Sequence, residues 1–470
     1  MAEIVVVGAG LGGLQAAMLL ARDGHRVTVV ERDPAPVPDT AAAAVDGWAR
    51  RGVNQFVYPH FLLARWRELA EVELPAAVDE LEAAGALRFN VFAEHPARQG
   101  DLRPGDERFE VLTARRPVVE MAGARAAAAT PGVEIRRGVA VRGLITDGGT
   151  AGAPRVAGLA TDGGEVRADL VVDCGGRRSA LPGWLAAAGA GPVAEEREDS
   201  GFVYYGRHFA DPDGGLPPGH GELLTHHDSL SLLTLPADHG TWAVVLVAAA
   251  EDRALRALTD AAIWDRAAAL YPRLAPWLEG KPLEDPRAIA AIEDRHRRLV
   301  VHGVPAATGV VAVGDAWACT NPSLGRGISI GLEHAACLRD VARQVAPARH
   351  EEFALAFAAA TDERLEPRYR RTLDIDRRRL AELRADAAGE AYDPGDPGWA
   401  IGKAMAVAAL HDDEVLRALV SIAELLSTAE QALAPPGILD TVIERGAGAP
   451  RYPAGNPART DLVAALAAAA

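Results

Sequence analysis

Lysine is almost missing from this chain: of its 49 basic residues only Lys281 and Lys403 are lysines. Cysteine is scarce too, with Cys174, Cys319 and Cys337 far apart and no Cys-x-x-Cys spacing. Three scattered thiols exclude a disulfide framework or a cysteine zinc site, and no metal centre is expected; an odd count fits a reducing compartment. Long apolar runs are also missing. None reaches the roughly 18–20 residues of a membrane-spanning helix, and the closing run Ala464–Ala470 is too short and too weakly apolar. The first residues lack the basic start and cleavage site of a secretory signal. A soluble, cytoplasmic protein is therefore expected. Positive charge is in deficit: 65 acidic against 49 basic residues give a net charge of −16. That balance argues against nucleic acid or an anionic membrane as partner. No internal repeat is present.

What is there is globular. Apolar residues make up 49% of the 470 and charged ones 24%, and this length predicts two or three domains. The run Glu3-Ile-Val-Val-Val7 reads as a strand buried on both faces. Gly8-Ala-Gly-Leu-Gly-Gly13 follows, then a helix over Leu14–Arg22 with Gly24 just beyond it, then a strand over Arg26–Glu31. Pro34–Val45 reads as a loop. Phe61–Ala84 is expected to be helical with a break at Pro75, and Thr113–Ala129 to be another helix. Short strands are expected over 134–136, 139–145, 156–160 and 165–172, then aromatic and β-branched ones over 202–209, 230–235 and 242–248. Val310–Gly314 is a buried strand, 328–345 a helix, and 351–433 a helical region. The expected division is an α/β Rossmann-like dinucleotide-binding domain from 1–180 and 300–345, a β-sheet substrate domain over 181–299, and a helical C-terminal region over 346–470.

Three glycine-centred motifs carry chemistry. In the first, Gly8 permits a tight turn, Gly10 lets backbone approach a pyrophosphate, and Gly13 seats the helix close to the strand. Glu31 ends the second strand, where a carboxylate accepts hydrogen bonds from an adenosine ribose, with Arg32 beside it. This pattern alone does not separate FAD from NAD. The second motif runs Gly314-Asp315-Ala-Trp-Ala-Cys-Thr-Asn-Pro322-Ser-Leu324-Gly325-Arg-Gly327-Ile328. It resembles the signature of the FAD-dependent monooxygenase superfamily, of aromatic-hydroxylase type. The resemblance implies a glutathione-reductase-like FAD fold, with Asp315 on the ribityl chain and Gly325, Gly327 and Ile328 at the flavin ring. The third, Asp173-Cys-Gly-Gly-Arg-Arg-Ser179, resembles the family's middle segment. In enzymes reduced directly by NADPH that segment carries an Asp-Gly pair; here Gly175-Gly176 replaces it. Arg50-Arg51-Gly-Val-Asn-Gln55 and Arg116-Pro-Val-Val-Glu120 resemble a bacterial branch with polyketide epoxidases, related to styrene monooxygenases. That likeness implies Arg51, Gln55 and Arg116 at the cofactor.

The resemblance implies FAD as cofactor, with electrons from NAD(P)H, taken directly or through a partner flavin reductase, and molecular oxygen as co-substrate. The implied chemistry passes through a flavin C4a-hydroperoxide and epoxidises or hydroxylates a hydrophobic natural-product molecule. The related halogenases carry a Lys that this chain lacks before residue 281 and a Trp-x-Trp-x-Ile-Pro segment that Trp242-Ala-Val-Val does not reproduce. A reductase or dehydrogenase of the prenyl-reductase type and a non-catalytic FAD-binding protein stay open. In this superfamily the substrate sheet lies over the flavin, which makes Phe202, Tyr204, Tyr205, His226, Leu232 and Trp242 candidate substrate contacts. Tyr58, His60, Pro322 and Leu324 are candidates for shaping the reaction at the ring.

Overall fold

The computed structural model describes residues 1–50, 52–53, 58–150, 152–452 and 455–467. At its base is a five-stranded parallel sheet. Its order places Val310–Ala312 at one edge, then Leu170–Asp173, Glu3–Val7, Arg26–Glu31, and Val133–Arg137 at the other edge. The inner strands of such a sheet are covered on both faces and therefore apolar: Ile4, Val5, Val6, Val171 and Val172 are all buried, while the edge strand Val133–Arg137 alternates toward solvent. The helix Leu11–Arg22 follows the first strand and ends against Asp23–Gly24, Gly24 lying at φ +84°. Gly327–Gln344 packs beside it.

Two expected helices begin later than their apolar patterns. Phe61 lies in a strand, Pro59–Leu62, and helices follow over Ala64–Glu73 and Pro75–Ala83, so the chain does break at Pro75. Thr113 lies in Glu110–Arg115, and the helix starts at Arg116 with Pro117 in its first turn, where proline's missing N–H loses nothing. These strands pair with each other and with Leu87–Asn90 in a small antiparallel sheet. The stretch expected as a loop holds a short helix, Ala41–Gly47, capped by Thr40.

The second large sheet is antiparallel and runs in the order Leu224–His226, Ser231–Pro236, Thr241–Ala249, Phe202–Ala210, Lys281–Pro282. It separates two apolar layers. Tyr204, Leu233, Val245 and Val247 share one face with Tyr58 and with Leu380 and Leu383 of the long helix Glu366–Ala388. Val203, Tyr205, Leu232, Trp242 and Leu246 share the other face, closed by Trp264, Trp277 and the C-terminal helix Arg459–Ala467 through Leu462 and Leu466. Helices Pro397–Ala408 and Asp413–Ala423 stand against the open side of the cofactor half. No described helix is long and apolar enough to cross a membrane.

Candidate active site

One continuous cavity of about 2460 Å³ runs from the first glycine turn, past the Pro322–Gly327 turn, to the C-terminal helices. That far exceeds the roughly 300–1,000 Å³ of an ordinary small-molecule pocket, which leaves room for a dinucleotide and a second molecule.

At one end lies the turn between Glu3–Val7 and its helix. Gly8 takes φ +97°, and a Cβ on Gly13 would lie 2.1 Å from the Gly8 carbonyl oxygen. A Cβ on Gly10 or Gly12 would instead meet nothing within 4 Å, because both open onto the cavity. Gly10 caps the helix without a side-chain hydrogen bond, so the first helical N–H groups are available to a phosphate. Gln15, one turn on, lines the cavity with both amide atoms buried and without a partner among the described residues.

Glu31 anchors the next strand's end. Its Oε2 accepts from Ala9 N–H at 2.9 Å and from Arg50 Nη2 at 2.8 Å, and its Oε1 from Asp33 N–H. Arg50 also donates to the Ala9 carbonyl and to Glu120 Oε2, both at 2.8 Å, and Glu120 Oε1 accepts from Arg116 Nε at 2.7 Å. A chain Glu31–Arg50–Glu120–Arg116 thus ties the glycine-turn end of the cleft to a guanidinium facing its middle. Arg32 borders the same end. Arg51 and Gln55 lie outside the described residues.

Asp315 occupies the middle. It lies deep in the molecule, yet its side chain is exposed and lines the cavity. Burial pushes its carboxyl up, opposed by the charges of Arg116 and Arg177. Asp173, by contrast, is used internally: Oδ1 accepts from Gly175 N–H and Oδ2 from the Ser179 hydroxyl.

The flavin-loop residues follow. Pro322–Leu324 makes one 3-10 turn, Gly325 adopts φ +64°, and the helix from Gly327 begins, with Gly327 and Ile328 on the cavity. A buried network holds this turn. Tyr204 donates its O–H to Asn321 Oδ1 at 2.5 Å, Ser323 bonds Tyr204 Oη at 2.5 Å, and Asn321 Nδ2 reaches Ser323 Oγ at 2.9 Å and Asp376 Oδ1 at 3.1 Å. Asp376 Oδ2 is buried without a partner among the described residues, and burial raises this carboxyl to about 8, with Asp294 adding to the rise and Arg326 opposing it. Asn321 and Ser323 fall inside the quoted motif without drawing notice there. Asp376 had its own signal: it interrupts the buried stripe Tyr369, Leu373, Leu380, Leu383 of its helix, and a lone acid on such a stripe is seldom idle.

A neutral, buried Asp376 has a measurable consequence. The folded state holds this proton more tightly than the unfolded chain, so its contribution is complete below 3.8 and is lost as pH rises through about 8. Asp376→Asn keeps the acceptor for Asn321 and cannot ionise. Its Tm relative to the parent is expected to climb by several degrees across that interval, then level off, in thermal melts over a pH series. Parallel curves would show that Asp376 does not titrate there.

Tyr58 and His60 face the cavity across from this turn. His60 Nδ1–H donates to the Tyr58 carbonyl at 3.0 Å, and burial, aided by Arg116, drops the imidazole to about 3. It is therefore neutral, with Nε2 left as an acceptor. Of the six candidate substrate contacts, Tyr204 and His226 line the cavity. Phe202 is on the same sheet face but packs into the core there, and Tyr205, Leu232 and Trp242 are corrections: they point to the opposite face. In a strand the side chains alternate, so a choice made without the register errs for every second residue. The sequence reading missed the helices Pro397–Ala408 and Asp413–Ala423 as cavity wall, where Trp399, Lys403 and Leu419 face inward, with Glu424 just beyond the second.

Residues 3–115 match the family described as FAD dependent oxidoreductase. With the parallel sheet and its cleft, the fold is that of FAD-dependent monooxygenases, and the match over residues 3–115 supports an oxidoreductase enzyme. PqsL of Pseudomonas aeruginosa, a probable FAD-dependent monooxygenase, superimposes with a TM-score of 0.59 over 83% of this chain and 98% of its own, at 17% identity. The anhydrotetracycline hydroxylase OxyS of Streptomyces rimosus gives 0.52 over 91% and 76%, at 20% identity. In sequence the chain is 29% identical to Protein Rv3254 of Mycobacterium tuberculosis over 71% of its length and 72% of that protein's. A 41-residue stretch is 61% identical to aklavinone 12-hydroxylase RdmE of Streptomyces purpurascens, covering 9% of this chain and 8% of that one.

Proposed function

We propose that the protein is a flavin-dependent monooxygenase that hydroxylates or epoxidises a hydrophobic small molecule. One observation carries the reading: the cavity continues past the flavin turn into an apolar chamber bounded by Leu233, Leu235, Val245 and Ile289. The residues fit FAD. Open backbone at Gly10 and Gly12 suits the pyrophosphate, Glu31 the ribose, Asp315 the ribityl chain and the Gly325–Ile328 turn the ring. When bound, FAD stores two electrons and lets oxygen be split so that one atom reaches the substrate. The chain's own residues provide a dry chamber and fixed geometry. His60 offers Nε2 as an acceptor, Tyr58 stays protonated with its hydroxyl pushed up to about 12 by burial, and Pro322 and Leu324 shape the ring's edge. The hydroxylases among the similar proteins support the same reading.

The electrons come from NAD(P)H. Because the Asp173 carboxylate is already shared between Gly175 and Ser179 and Gly175-Gly176 stands where an Asp-Gly pair serves NADPH, delivery through a partner flavin reductase is the favoured route. The test is stopped-flow spectroscopy of FAD-loaded protein, reduced anaerobically and mixed with oxygen, with a parallel NADPH arm. A transient absorbing species before reoxidation, and an oxygenated product with a suitable substrate, are expected. Direct reoxidation with no transient under any substrate would favour a reductase or dehydrogenase. Failure to bind FAD would end the reading altogether.

A further inference from the structure

At the end of the cavity away from the glycine turn, four cations stand close together: Arg378, Arg379, Lys403 and Arg451. Three have carboxylate partners. Arg378 pairs with Asp396, Arg379 Nη1 with Glu382 Oε2 at 2.8 Å, and Arg451 Nη2 with Asp386 Oδ1 at 2.9 Å. Arg379 is saturated besides, donating to Ser231, Tyr452 and the carbonyls of His227 and Leu230. Lys403 is the one left over. Its nearest carboxylate oxygen, Glu382 Oε1 at 3.5 Å, already accepts from the Trp399 indole at 2.9 Å, and Glu382 carries the charge that balances Arg379. Among the described residues the Lys403 ammonium at the cavity surface thus has only a shared, longer ion pair. It sits between two aromatic rings, 5.8 Å from the centroid of Trp399 and 5.1 Å from that of Tyr452.

His226 supplies a second donor. Its Nδ1 lies 2.9 Å from Ser231 Oγ, and that oxygen accepts from Arg379 Nε at 2.9 Å. With the serine hydroxyl donating to Nδ1, the arrangement the proposal uses, the imidazole's own proton sits on Nε2. Burial and the charges of Arg379 and Lys403 keep this ring neutral. Both His226 and Lys403 border the cavity, and the Lys403 charge acts directly on the imidazole.

We propose that Lys403 and His226 form a subsite for an anionic oxygen of the substrate, a carboxylate or phenolate on a hydrophobic body. The proposal rests on the monooxygenase reading for the word substrate, and specifies it: a hydrophobic molecule carrying one acidic oxygen remote from the carbon that reacts. An ammonium with only a shared partner gains most from an anion brought into a partly desolvated place. Lysine suits the task in a chain that otherwise uses arginine, since its compact charge serves one oxygen without requiring a bidentate partner.

The test is equilibrium binding to the oxidised, FAD-loaded full chain, followed by tryptophan and flavin fluorescence, so no turnover is needed. The probes are 2-naphthoate against its methyl ester, and 4-nitrophenolate against 4-nitroanisole; the pair showing the larger preference tells carboxylate from phenolate. The parent is expected to prefer at least one anion by about tenfold, the scale of one charged hydrogen bond. Lys403→Met should abolish that preference while leaving the neutral probe's affinity unchanged, and Lys403→Arg should retain part of it. Equal affinity for both anions and their neutral partners in the parent overturns the proposal without any variant, as does a preference that survives Lys403→Met. If the anion preference appears but the oxygen reaction does not, the subsite stands and the monooxygenase reading falls.

Discussion

Arg50→Met is expected to lower stability by about 3–5 kcal/mol, the usual effect of removing one partner from a buried ionic cluster. Methionine fills most of the volume, so the loss comes from charge rather than from a cavity. Two carboxylates then face each other with less compensation: Glu120, whose side chain is fully buried, and Glu31, at 9% exposure. Glu120 keeps Arg116 and Glu31 keeps the Ala9 N–H, which argues for the lower end of the range. The Ala9 carbonyl loses its donor as well, so the glycine turn should loosen and FAD affinity fall with stability. Urea unfolding with and without FAD checks both. Arg50→Lys is expected to rescue little, because one ammonium cannot serve Glu31, Glu120 and a carbonyl in the directions the planar fork reaches. A midpoint within error of the parent would show that the cluster is not ionic as described.

Gly13→Val is expected to weaken FAD binding by more than about 100-fold, or roughly 2.7 kcal/mol. The added Cβ would lie 2.1 Å from the Gly8 oxygen and 3.2 Å from Cys174 Cβ. Neither neighbour is the free end of a flexible chain, so the helix Leu11–Arg22 must move away from the strand, taking its N-terminal N–H groups off the phosphate position. Gly12→Ala is the contrast: it meets nothing within 4 Å in the protein, and its stability in the absence of FAD should match the parent's. Isothermal titration of the apoproteins measures the first effect and thermal melts the second. An unimpaired Gly13→Val would mean that the cofactor enters elsewhere.

The cofactor half was legible in the sequence because its chemistry is local. A buried strand, a glycine turn and a helix follow one another within Glu3–Arg22, and the Gly314–Ile328 motif folds on itself. The same locality explains the weak points. Arg50 carried no signal of its own in the sequence, yet it holds the buried place between Glu31 and Glu120. Phe61 and Thr113 read as helix because apolar residues at strand spacing ran on into true helices at Ala64 and Arg116. The substrate end was barely legible. Which of Tyr204 and Tyr205 faces the cavity depends on strand pairing across some forty residues, Tyr204 with Val247. Lys403 and Tyr452 reach the site through the packing of the helical region, a contact no local pattern announces, whereas Asp376 showed itself as an acid on a buried stripe without revealing what it would meet.

The cavity's two ends come from different lengths of chain. The cofactor end is written in the first 180 residues and the segment near 315, while much of the far wall is written in 397–452. A change in that late stretch alters the shape and charge offered to a guest without touching the glycine turn, Glu31 or Asp315. Recombination within such a scaffold is therefore simple: exchanging the stretch from residue 397 onward between homologues is a direct way to redirect selectivity while the glycine turn, Glu31 and Asp315 are inherited intact.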